Sequence, residues 1–131
     1  AFLLDIRRDR AERLAAAERD ARELKIAARF VSSELLDAQE FIEGTQIGEP
    51  LRREELHFEA WREHGPTLAR LLDAGTWNQV TVAYGRIVET EKAQERGELA
   101  GEMTEFTLSQ LDDHVAEIAE AWRMLTPLGA L

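Results

Sequence analysis

Three histidines among 26 acidic residues are the natural place to look for chemistry, since imidazole and carboxylate together build metal sites and acid–base pairs. Glu54-x-x-His57 has the spacing of half a carboxylate-bridged di-iron site, in which such a pair on each of two helices is completed by single Glu residues from two others. The second half is missing. Trp61 stands three residues before His64, and Leu111 three before His114. His57 and His64 are a heptad apart on one helix and His114 with Glu117 could meet them, but a chain this acidic produces such spacings by chance. No metal and no cofactor is expected.

Catalytic signatures are equally thin. With no Cys there is no thiolate nucleophile, no disulfide framework and no thiolate metal site. There is no Gly-rich phosphate loop between a strand and a helix and no Gly-x-Ser-x-Gly elbow. The adjacent acids Glu54-Glu55 and Asp112-Asp113 diverge on a helix surface, which serves solvation. The chain is therefore read as a non-enzyme with no catalytic residues. Trp61, Trp77, Tyr84 and Trp122 fall on inward helical stripes, so they are either core anchors or the lining of a small-ligand cavity of a few hundred Å³. The run Glu89, Glu91, Glu95, Glu98, Glu102, Glu105 makes one corner strongly negative, either a solvated end or a dock for a cationic partner.

The elements that would position these residues are all helical. The longest runs from Phe2 to about Glu43 without Pro or Gly, with Leu14, Ala17, Ala21, Leu24, Ala28, Val31, Leu35, Ala38 and Ile42 in strict alternation of three and four. From Leu24 onward Ile26, Ala27, Phe30, Leu36 and Phe41 broaden that stripe, the width a helix needs when several neighbours cover it. Before Leu24 the seam is mostly Ala. Arg8/Glu12, Asp9/Arg13 and Glu18/Arg22 support this half by intrahelical pairing, so it projects as a coiled-coil-like extension. Gly44, Gly48 and Pro50 mark a connection over 44–53. A second helix is expected from about Glu54 to Asp73, kinked or split at Gly65-Pro66. A third runs from Trp77 to about Arg96, capped by Gly75 or Thr76. A fourth runs from a Thr104 cap to Leu125, burying Phe106, Leu108, Leu111, Val115, Ile118, Trp122 and Leu125, and stops at Pro127. Short corners between helices give an all-α, up-down four-helix bundle, residues 24–131, with residues 1–23 overhanging.

Charge divides the chain in the same way. The net charge is −10, which disfavours nucleic acid as a partner. Residues 1–30 hold eight bases against six acids, whereas the remainder hold eight against twenty. The opening Ala1-Phe2-Leu3-Leu4 is too short to span a bilayer, but apolar residues followed by dense Arg is the pattern found just cytoplasmic of a transmembrane helix. A span upstream of Ala1 is one expectation, and a plain helix start is the other.

Trp61-x-x-His64-x-x-x-Leu68-Ala69-x-x-Leu72, followed by Trp77-x-x-Val80-x-x-Ala83-Tyr84-x-x-Ile87, resembles a loose group of actinobacterial helical proteins of unassigned activity. In that group a single N-terminal transmembrane helix continues into a charged helix and a small helical domain. The resemblance covers about residues 20 to 90 and implies a membrane-anchored topology with no site residues, while the Arg-rich start points to a cytoplasmic location at the inner face of the membrane.

Three functions follow as expectations. The first is a helical oligomerisation domain pairing through Leu14, Ala17, Ala21, Leu24 and Ala28, a homodimer being favoured and a parallel one expected. The second is a helical sensor holding a ligand among Trp61, Trp77, Tyr84 and Trp122. The third is a structural subunit of a larger assembly that uses the overhang as an arm.

Overall fold

The computed structural model describes residues 2–46, 58–95 and 105–130. They form α1 (Phe2–Gln46), α2 (Glu59–Leu71), α3 (Ala74–Glu95) and α4 (Glu105–Ala130), with no strand among the described residues. Residue pairs fix the directions. Asp20 and Glu34 of α1 meet Arg70 and Ala60 of α2, so those two helices are antiparallel. Gln79 of α3 meets Glu117 of α4 and Thr90 meets His114, so these are antiparallel as well. The result is an up-down-up-down four-helix bundle. In it α1 packs against α2 and α4, and α3 against α4, while rings bridge α2 to α3.

The seam of α1 is buried from Ala28 through Val31, Leu35, Ala38 and Ile42, with Leu24 packed at its lower edge. Leu68 of α2, Val80, Ala83 and Ile87 of α3, and Leu111, Ile118, Ala121 and Leu125 of α4 close over it. Ala27 and Ala28 are fully buried, and their small side chains admit neighbouring helices closely. The expected broadening of the stripe is only partly present. Ile26 and Phe30 are 51% and 55% exposed, because among the described residues no helix closes fully over the flank they occupy. Phe30 instead lays its ring over His64, with centroids 5.0 Å apart and planes 9° from parallel.

Several helix boundaries depart from expectation. α1 continues past Gly44 to Gln46. α2 passes through Pro66 as one unbroken helix. The residue before a proline normally resists helical geometry because its Cβ clashes with the proline ring, and Gly65 has no Cβ. Gly65 is also buried beside the Trp61 indole, where a Cβ would lie 3.6 Å from the ring. Asp73, not Gly75 or Thr76, caps α3. One of its carboxylate oxygens accepts from the Thr76 N–H at 3.1 Å and the other from the Thr76 hydroxyl at 2.6 Å. These bonds hold the Asp73 carboxyl below its ordinary range. α4 runs through Pro127 to Ala130, since Leu125, Leu128 and Gly129 pack against the rest of the bundle and Arg29 donates to the Gly129 carbonyl at 3.0 Å. Thr104, Glu54 and His57 lie outside the described residues, as do the side chains of Phe106 and Leu108 and most of the acidic corner.

Candidate functional site

Trp61, Trp77 and Tyr84 come together, as three of the four proposed cavity residues. Trp61 stacks on Tyr84 with centroids 4.2 Å apart and on Trp77 at 5.4 Å, while Phe58 meets Tyr84 edge-on at 6.2 Å. At these separations the rings are in van der Waals contact and fill the space between α2 and α3 themselves. Trp122 sits partly buried against the core and joins none of these stacks. The cluster is an anchor between two helices.

What orients it is Glu34, a residue the periodicity of α1 does not single out. Its carboxylate accepts from the Ala60 N–H at 3.0 Å, the Trp61 N–H at 3.2 Å and the Tyr84 hydroxyl at 2.6 Å. The first turn of α2 has no side-chain cap of its own, and Phe58 precedes it. A carboxylate from another helix thus satisfies two of the orphan donors at that terminus and faces the positive end of its dipole. Burial pushes the Tyr84 hydroxyl far above its ordinary pKa, with the bond to Glu34 adding to it, so Tyr84 is a fixed hydrogen-bond donor and not an acid.

His64 and His114 are kept apart, one against Phe30 of α1 and the other between α3 and α4. His114 lies in a polar cleft of about 380 Å³ lined by Arg86, Glu89, Gln110, Asp113, Ala116 and Glu117. The Arg86 guanidinium donates to Glu117 at 2.6 Å and to Glu89 at 3.0 Å. The Thr90 hydroxyl donates to the Arg86 carbonyl, leaving its oxygen to accept from Nδ1–H of His114 at 3.1 Å. Nε2 then faces Glu89 at 3.4 Å. Burial depresses the imidazole pKa below its ordinary value, against the opposing pull of Glu89. Among the described residues no cluster of His, Asp and Glu has the makings of a metal site.

The five seam residues named for pairing separate into two groups. Ala28 is buried within the bundle and Leu24 packs at its edge. Leu14 is 64% exposed, and Ala17 and Ala21 are exposed too. The bundle ends at the level of Ala21, where Arg70 of α2 binds Asp20 and Glu23 of α1. Below that level α1 continues, alone among the described residues, for about 18 residues, roughly 27 Å, carrying exposed Leu3, Leu4 and Ile6. Among the described residues no helix is long and apolar enough to cross a membrane. No family model matches the sequence, and no curated relative or solved structure matches it either.

Proposed function

We propose that the protein is a non-enzymatic helical interaction domain that self-associates through the overhanging half of α1. One observation carries this reading: the alternation buried at Ala28, Val31, Leu35 and Ile42 continues outward through Ala21, Ala17 and Leu14, and among the described residues nothing packs on it there. A helix whose stripe is covered along only half its length has its remaining half available to a partner. The stacking of Trp61 on Trp77 and Tyr84 favours this reading over a ligand held among those rings. A rod about 27 Å long is a small interface, so association in the micromolar range is expected.

Light scattering over roughly 10 to 500 µM tests this, the mass rising toward twice that of the chain. Leu14→Arg, at an exposed position, should keep the molecule monomeric while leaving its melting temperature at low concentration unchanged. A monomer throughout the range for the unaltered chain would end the proposal.

A further inference from the structure

We infer that the partner on the overhang is a second copy of this chain lying antiparallel, with Leu3, Arg7 and Arg10 of each copy opposite Ala21, Ala17 and Leu14 of the other. This rests on the self-association proposed above and adds its geometry. Extended downward, the alternation that defines the seam passes through Ala21, Ala17 and Leu14 to Arg10, Arg7 and Leu3. In a parallel, in-register pair each seam residue meets its own counterpart, so Arg7 would face Arg7 and Arg10 would face Arg10 in successive layers. The antiparallel register removes both like-charge layers. It sets the long Leu3 and Arg7 against the small Ala21 and Ala17, and Arg10 against Leu14, whose apolar surface can carry the Arg stem while the guanidinium reaches water. It also brings Arg7 of one copy beside Glu18 of the other, next to Ala17 in the sequence.

The bundle imposes the same choice. From Ala27 and Ala28 upward the seam is occupied by the chain's own helices, and Gly129 of α4 sits directly on the Arg29 backbone. A parallel partner pairing on the seam would carry its own bundle at that level and on that side, and the two sets of covering helices would collide. An antiparallel partner carries its bundle at the far end of the rod. Its overhang then covers the stretch of stripe below α4, as α4 covers the stretch above.

The chain has no Cys, so a single spin label can be placed cleanly. Arg22 is exposed and lies at the lower edge of the bundle, between the Asp20 and Glu23 that bind Arg70. In the proposed register, labels on Arg22→Cys in the two copies are separated by about 20 residues along the rod, roughly 30 Å, whereas a parallel pair separates them only by its width, about 20 Å. Double electron–electron resonance at a concentration where light scattering reports a dimer distinguishes the cases. A distance at or above about 30 Å that collapses on dilution supports the antiparallel pair. A dimer with a distance near 20 Å overturns it while leaving self-association intact, and a monomer by scattering removes both.

Discussion

At the scale of single residues, the most consequential side chain is Glu34. Its three hydrogen bonds join α1, α2 and α3 at one point: two cap the start of α2 and the third satisfies a buried phenol. Glu34→Ala leaves the Tyr84 hydroxyl without its acceptor and the first turn of α2 uncapped, so a loss of about 2–4 kcal/mol in urea unfolding is expected. Tyr84→Phe removes one bond and leaves the cap, for a loss near 1 kcal/mol. The double variant should cost clearly less than the sum, whereas strict additivity would mean that the pair does not interact. His114 gives a second expectation. Its folded pKa lies below its ordinary 6.5, so the folded protein binds fewer protons than the unfolded chain. The stability supplied by the neutral ring is present above about pH 6.5 and is lost as the pH falls through the folded pKa. His114→Gln should therefore flatten the fall in urea midpoint between pH 7 and 5. Glu89→Gln should depress the pKa further by NMR titration, because the Glu89 carboxylate faces Nε2 and favours its protonation.

At the scale of elements, glycines give opposite expectations. A Cβ on Gly129 would come 3.0 Å from the Arg29 backbone nitrogen and 3.1 Å from its Cα, neither of which can retreat. Gly129→Ala should cost roughly 1–3 kcal/mol by forcing α4 away from α1. At Gly85, within α3, a Cβ meets nothing within 4 Å, so Gly85→Ala should stabilise by about 0.5–1 kcal/mol through helix propensity alone. Thermal melts of the two variants should move in opposite directions. These contrasts also mark how far the sequence could be read. Periodicity located the buried stripe from Leu24 to Ile42 and the exposed seam beneath it, because burial repeats along a helix with the helix's own period. Proline and glycine positions misplaced the ends of α1 and α4 and pointed to a kink or split in α2; the missing Cβ of Gly65 lets α2 pass Pro66 unbroken, and the packing of Gly129 on the Arg29 backbone carries α4 past Pro127. The outward turn of Ile26 and Phe30, the separation of Trp122 from the other rings and the role of Glu34 all depend on how neighbouring helices are rotated and where they begin. No spacing within one helix carries that information.

At the scale of the whole molecule, the four helices make a bundle closed over one core with an unclosed arm beneath it, and the arm's behaviour depends on pairing. An isolated helix of this length is marginal in water, supported here by Ala-rich propensity. Hydrogen exchange separates the arm from the bundle. In dilute solution amides of residues 3–21 should exchange quickly, since none of the described residues covers their stripe, while those of residues 28–42 exchange only through opening of the core. Raising the concentration through the dimerisation range should slow exchange in residues 3–21 by the factor that the dimer population sets and leave residues 28–42 nearly unchanged. If the protein dimerised while the arm's exchange stayed indifferent to concentration, the interface would lie elsewhere, and the exposed flank of Ile26 and Phe30 would be the surface to test next.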